Sequence, residues 1–170
     1  MAIIAKKNKK DFTPAPEGLW PAVCVDVVDL GMEQTPWGEK HKVQLRWVLE
    51  ERDPKTDRAF LVLKKYTLSL DEKANLRREL ETWRGRKFTK EESEGFDLER
   101  LIGVNCQLQI MHNVTDGGDV YANVQAIVPA GKGVVKIAVP SDYIRVCDRK
   151  KEQEPGKDAF EGATDDDIPF

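Results

Sequence analysis

The sequence predicts an all-β domain, a five-stranded barrel with a helical insertion between its third and fourth strands, followed by a detachable acidic tail. Three observations predict it. Five alternating apolar runs recur before residue 130, the pattern of strands with one buried face. One amphipathic stretch with helix start and stop signals interrupts them after the third run. Beyond Cys147 large apolar residues become rare while carboxylates accumulate. A chain of 170 residues holds one domain with a real core and is short for two.

Residues 1–16 carry Lys6, Lys7, Lys9 and Lys10, then Pro14 and Pro16, and read as a flexible basic arm. Residues 18–30 alternate and are rich in valine, as a first strand should be. Residues 31–39, with Pro36, Trp37 and Gly38, break that pattern into a loop. In the second strand, residues 41–49, Val43, Leu45, Trp47 and Leu49 share one face, while Lys42, Gln44 and Arg46 share the other. A turn over residues 53–57 leads to the third strand, residues 60–68, which passes from apolar to Lys64-Lys65-Tyr66.

Ser69 with Glu72 spells a capping box and is expected to open a helix. Leu76, Leu80 and Trp83 supply its apolar stripe, and Gly85 stands where a helix-ending glycine belongs. Thr89 with Glu92, then Asp97 to Ile102, predict two more short helical turns. The fourth strand places Val104, Cys106, Leu108 and Ile110 on one face. Asp116-Gly117-Gly118-Asp119 then turns the chain into a fifth strand, residues 120–128, and residues 131–147 are expected to add a short hairpin.

This order is that of an OB-fold, whose binding face is bordered by the loops joining strands 1–2 and strands 4–5. SH3-like barrels offer no natural place for the helical insertion. The domain is bounded at 17–147. Residues 148–164 bury too little apolar surface to offset ordering their backbone and are expected to be a disordered linker; residues 165–170 form a separate tip.

The net charge of −3 hides an asymmetry. Residues 151–170 hold Lys151 and Lys157 against seven carboxylates, a charge of −5, which leaves +2 for residues 1–150. A body that mildly basic makes a nucleic-acid ligand plausible only where its cations gather on one face. Flat rings that stack on bases and cations that meet phosphates are what a single strand requires. The candidates are Trp37, Lys40 and Lys42 around the first loop, Arg46 on strand 2, Lys64, Lys65 and Tyr66 on strand 3, and Tyr121 beside the last loop. Arg86 and Lys87 extend this set past the helix, although cations there also suit the helix dipole. Trp47 and Trp83 fall on apolar stripes and belong to the core and the helix anchor.

Other classes fare worse. Cys24, Cys106 and Cys147 are widely spread with no CxxC pair, so buried free thiols are favoured over a metal site. His41 and His112 stand alone. Nothing pairs a nucleophile with a base, and Gly131-Lys132-Gly133 lacks the rest of a phosphate loop. No cofactor is expected, and a metal-dependent nuclease built from Glu91, Glu92 and Glu94 is a distant alternative. No apolar run approaches the roughly 20 residues of a membrane span. The first five residues are too short for a secretory signal and precede their lysines, so the cytoplasm is the expected compartment.

The last six residues are the most specific signal. Asp165, Asp166 and Asp167 precede Ile168, Pro169 and Phe170. Isoleucine and phenylalanine can fill an apolar pocket, a terminal carboxylate can pair with a cation at its rim, and proline limits the entropy lost on binding. Acidic tails also serve solubility, but those seldom end in a hydrophobic plug.

Asp165 to Phe170 resembles, letter for letter, the C-terminal tip of the bacterial single-stranded DNA-binding protein family. In that family the tip docks onto replication, recombination and repair proteins, so the resemblance implies those partners for these six residues and single-stranded DNA for the body. The body is more similar to OB-type proteins encoded by bacteriophages, in segments such as Tyr66-Thr67-Leu68-Ser69-Leu70 and Gly95-Phe96-Asp97-Leu98. A phage protein displaying the host's tip would recruit host machinery in the host cytoplasm. The bacterial family's homotetramer makes a homo-oligomer one alternative for the assembly state. A decoy that occupies tip receptors without binding DNA is the competing reading of the same tip. The tail charge is also expected to compete with phosphates for the cationic surface.

Overall fold

A computed structural model describes residues 13–152, and the six-residue tip with most of the expected linker lies outside the described residues. Valine-rich alternation gives five strands: β1 (Gly18–Thr35), β2 (Gly38–Arg52), β3 (Ala59–Thr67), β4 (Asn105–Val114) and β5 (Val120–Pro129). They form one antiparallel sheet in the order β3-β2-β1-β4-β5. One face of every strand feeds a single core that includes Cys24, Leu45, Trp47, Val62, Leu108 and Ile127, so the sheet must curl around it. The two edge strands approach each other, and the Lys64 ammonium on β3 donates to the Val124 carbonyl on β5 at 3.2 Å.

Helix α1 (Asn75–Arg84) lies against both β3 and β5 and buries Leu76, Leu80 and Trp83 in the core. Its end is the expected one: Gly85 is left-handed at φ 73°, and its N–H donates to the Glu81 carbonyl at 2.9 Å. Its start is not. Ala74 caps it without a side-chain bond, and Ser69 instead accepts from the Asp71 N–H in a local turn. The backbone spends residues 68–74 crossing from the end of β3 to the start of α1 before a helix can begin. The short α2 (Lys90–Glu94) does carry a complete capping box between Thr89 and Glu92, and a 3-10 turn (Leu98–Leu101) follows with Asp97 as its cap.

Three further expectations are corrected. Residues 31–35 are not loop: two bulges bend β1, between Cys24 and Asp26 and between Asp29 and Gly31, and the strand continues to Thr35. Residues 13–16 are not an arm, because Ala15 is buried, its carbonyl accepts from His112, and the Trp20 indole donates to the Pro16 carbonyl at 2.8 Å. Residues 131–145 form no hairpin. They cross the outer face of β1 and β2 as an extended strap, with Ile137, Val139 and Tyr143 packed on Val23, Val25 and Val48. Helix α3 (Val146–Glu152) then runs through the expected domain boundary at 147.

Asp26 holds the strap down. It is fully buried and accepts from Tyr143 Oη at 2.9 Å, Arg145 Nε at 3.0 Å and the Val146 N–H at 2.9 Å. Burial pushes its carboxyl upward, but these donors outweigh that and hold it below the ordinary carboxylate range. Cys24 and Cys106 are buried free thiols, and burial pushes Cys24 up to about 12, whereas Cys147 is exposed.

Candidate functional site

Two strand pairs of the sheet, β1–β2 and β4–β5, each carry an exposed ring. The β1–β2 hairpin turns through Pro36 and Trp37 alone, with Thr35 opposite Gly38. Thr35 Oγ1 donates to the Gly38 carbonyl at 2.6 Å and accepts from the Trp37 N–H at 3.3 Å, and Gly38 takes φ 107°, which a side chain would strain. Trp37 is thereby held 84% exposed, an unusual state for so large a ring. Asp29 braces the base of this hairpin, accepting from His41 at 2.6 Å and from the Gly31 N–H at 2.8 Å. Tyr121, opposite Asn113 on the β4–β5 hairpin, is 52% exposed.

Between the first hairpin and the entrance to α1 lies a cleft of about 460 Å³ lined by five lysines: Lys40, Lys42, Lys64, Lys65 and Lys73. The register explains the gathering. Lys42 sits opposite Thr67 and donates to its hydroxyl at 2.7 Å, and Lys65 and Lys64 lie two and three positions before Thr67 on β3. Lys73 arrives from the turn before α1. Lys64 is paired with Glu79 at 2.6 Å and Lys65 with Glu33 at 3.0 Å, while Lys40 and Lys73 make no ion pair among the described residues. Against the single carboxylate in its lining, Asp71, the cleft therefore keeps a positive balance, and Asn75 adds an amide to the wall.

The structure separates some residues that the sequence groups together. Tyr66 is a core residue at 3% exposure, with its hydroxyl donating to Glu79 beneath the Lys64 ammonium. Burial, then the Glu79 carboxylate, pushes its phenol upward. The alternation of β3 turns Tyr66 inward with Val62, leaving Leu61, Leu63 and Lys65 exposed, and Tyr66 contributes to the cleft only as part of its wall. Arg46 lies on the outer face of β2, donating to Gln44 at 2.9 Å beside the strap, outside the lysine cleft. Arg86 and Lys87 follow the far end of α1, about 15 Å along a 10-residue helix from Asn75. Lys73 and Asn75 escaped sequence reasoning because the false helix start at Ser69 buried them in an element; a basic residue directly before an apolar stripe was the available signal.

No group of three His, Cys, Asp or Glu that could hold a metal occurs among the described residues, and no helix among them is long and apolar enough to cross a membrane. The arrangement offers stacking surfaces and ammonium groups, which suits an elongated polyanion with unpaired bases. No protein-family model matches the chain, and no curated protein matches it.

Proposed function

We propose that the barrel is an OB-fold that binds single-stranded DNA without sequence preference, and that the tip, Asp165 to Phe170, recruits replication, recombination and repair proteins to it. The observation that carries the reading is the juxtaposition of a five-lysine cleft with an 84%-exposed tryptophan at the end of the adjoining hairpin. The sheet order, with β1 between β2 and β4 and with β3 approaching β5, is the connectivity expected of that barrel. Phosphates would follow the lysines while a base stacks on Trp37, and the second hairpin would offer Tyr121 to a neighbouring base.

Titration with oligo-dT is expected to quench tryptophan fluorescence, with an affinity that falls steeply as salt rises. Trp37→Ala should weaken binding by about 1–3 kcal/mol, the loss of one stacked base. A Trp37→Ala protein with unchanged affinity would remove the stacking role. A chain that ignores oligo-dT at low salt would sink the whole reading.

A further inference from the structure

At the other end of α1 an apolar pocket of about 400 Å³ opens between the helix and the 98–101 turn, within the size range of ligand sites. Trp83, Phe88 and Phe96 line it, together with three arginines, Arg84, Arg86 and Arg100. Arg84 lies over the rings of Phe88 and Phe96 at 4.7 and 5.9 Å and bonds Glu92 through Nη2 at 2.7 Å. Its Nη1 is buried without a partner among the described residues. Arg86 and Arg100 are exposed and make no ion pair among those residues. An apolar hollow framed by surplus guanidinium charge fits a ligand that combines apolar side chains with carboxylates.

The chain carries such a segment and is tied down beside the pocket. Arg145, which is anchored to Asp26, also meets Glu99 at 2.8 Å, and Glu99 immediately precedes Arg100. Helix α3 starts one residue later, so the chain leaves the domain next to the turn that walls the pocket. From Glu152 to Ile168 there are 16 residues, a span of at most roughly 50 Å. Ile168 and Phe170, two apart, share one side of an extended chain, and Asp165 to Asp167 precede them. Three carboxylates meet three arginines.

We propose that residues 165–170 dock in this pocket of the same chain, with Ile168 and Phe170 against the aromatic wall and the aspartates among Arg84, Arg86 and Arg100. The domain thereby parks its own tip away from the lysine cleft, and a partner's receptor must compete with a tethered site at high effective concentration. The proposal depends on the pocket and the tip and not on nucleic acid, so its test contains none.

The test compares amide and indole NMR spectra of the full chain with those of a full-length Ile168→Ala/Phe170→Ala variant and a full-length Arg86→Glu/Arg100→Glu variant. Both arginines are exposed and the tip lies outside the described residues that form the core, so the fold should survive either change. The expected result is a shift of the Trp83 indole and Leu101 amide resonances in the tip variant, independent of protein concentration. Adding the tip substitutions to the arginine variant should then move the Trp83 and Leu101 resonances no further. Spectra unchanged at Trp83 and Leu101 overturn the proposal. So do changes confined to Lys40, Lys42 and Lys73, which would place the tip in the lysine cleft, and a shift that grows with concentration, which would place it on a second copy.

Discussion

Tyr66 and Trp37 show how one residue's neighbourhood decides its use. Both are rings in a cationic setting, yet one is buried in the core and the other stands in solvent. Tyr66 donates to Glu79, which also pairs with Lys64, so the three form a polar plug between β3 and α1. Tyr66→Phe leaves Glu79 its lysine partner and keeps the ring, and should cost about 1 kcal/mol of unfolding free energy. Denaturant unfolding would measure that loss, with oligo-dT affinity unchanged; a large drop in affinity at unchanged stability would return Tyr66 to the binding surface. The residue type was legible in the sequence and its orientation was nearly so. Strict alternation from Val62 puts Tyr66 on the inward face, whereas the two lysines before it suggest a solvated face.

Among the elements, the strap is pinned by two polar side chains: Asn105, which bonds both backbone groups of Ile137, and Asp26 at the strap's end. Asp26→Asn keeps the shape but gives up the charge that three donors address, and should cost about 2 kcal/mol. Because the folded carboxyl lies below its unfolded value of about 3.9, its contribution is complete above that value and is lost as pH falls through the folded one. Limited proteolysis within residues 131–145 should accelerate below pH 4 in the native protein, and at neutral pH in Asp26→Asn. Equal cleavage rates in both proteins at neutral pH would count against the anchor. The sequence hid this element for a physical reason. Valines at 134, 135 and 139 suggest strands, but the strands beneath this segment, β1 and β2, already pair on both sides. The segment packs across the sheet instead of extending it.

For the whole molecule the question is how a chain of net charge −3 presents a cationic surface. The fold solves it by concentrating five lysines in one cleft, and the sequence solves it by consigning −5 to the final 20 residues. Each phosphate held on a single strand contributes about 0.7 to the slope of log affinity against log salt. Replacing Lys40, Lys42 and Lys73 with glutamine should therefore lower that slope by about 2. Even with the tip parked outside the lysine cleft, Glu161, Asp165, Asp166 and Asp167 repel phosphates at long range, so deleting residues 161–170 should tighten binding at low salt, an advantage that fades as screening rises. Affinity that stays level or falls on deletion would show that the tail does not oppose DNA.

Composition and periodicity alone determined the strands' inward faces, the α1 stripe, the glycine that ends it and the chemistry of the tip. Those are local properties, and a pattern of two or of 3.6 residues is complete within one element. Only the tertiary structure decided which lysines share a cleft, that Tyr66 is out of reach, and that residues 131–145 strap the sheet. Each of these depends on a partner far along the chain: the donors to Asp26 stand 117 to 120 positions away, a distance across which sequence spacing carries no signal.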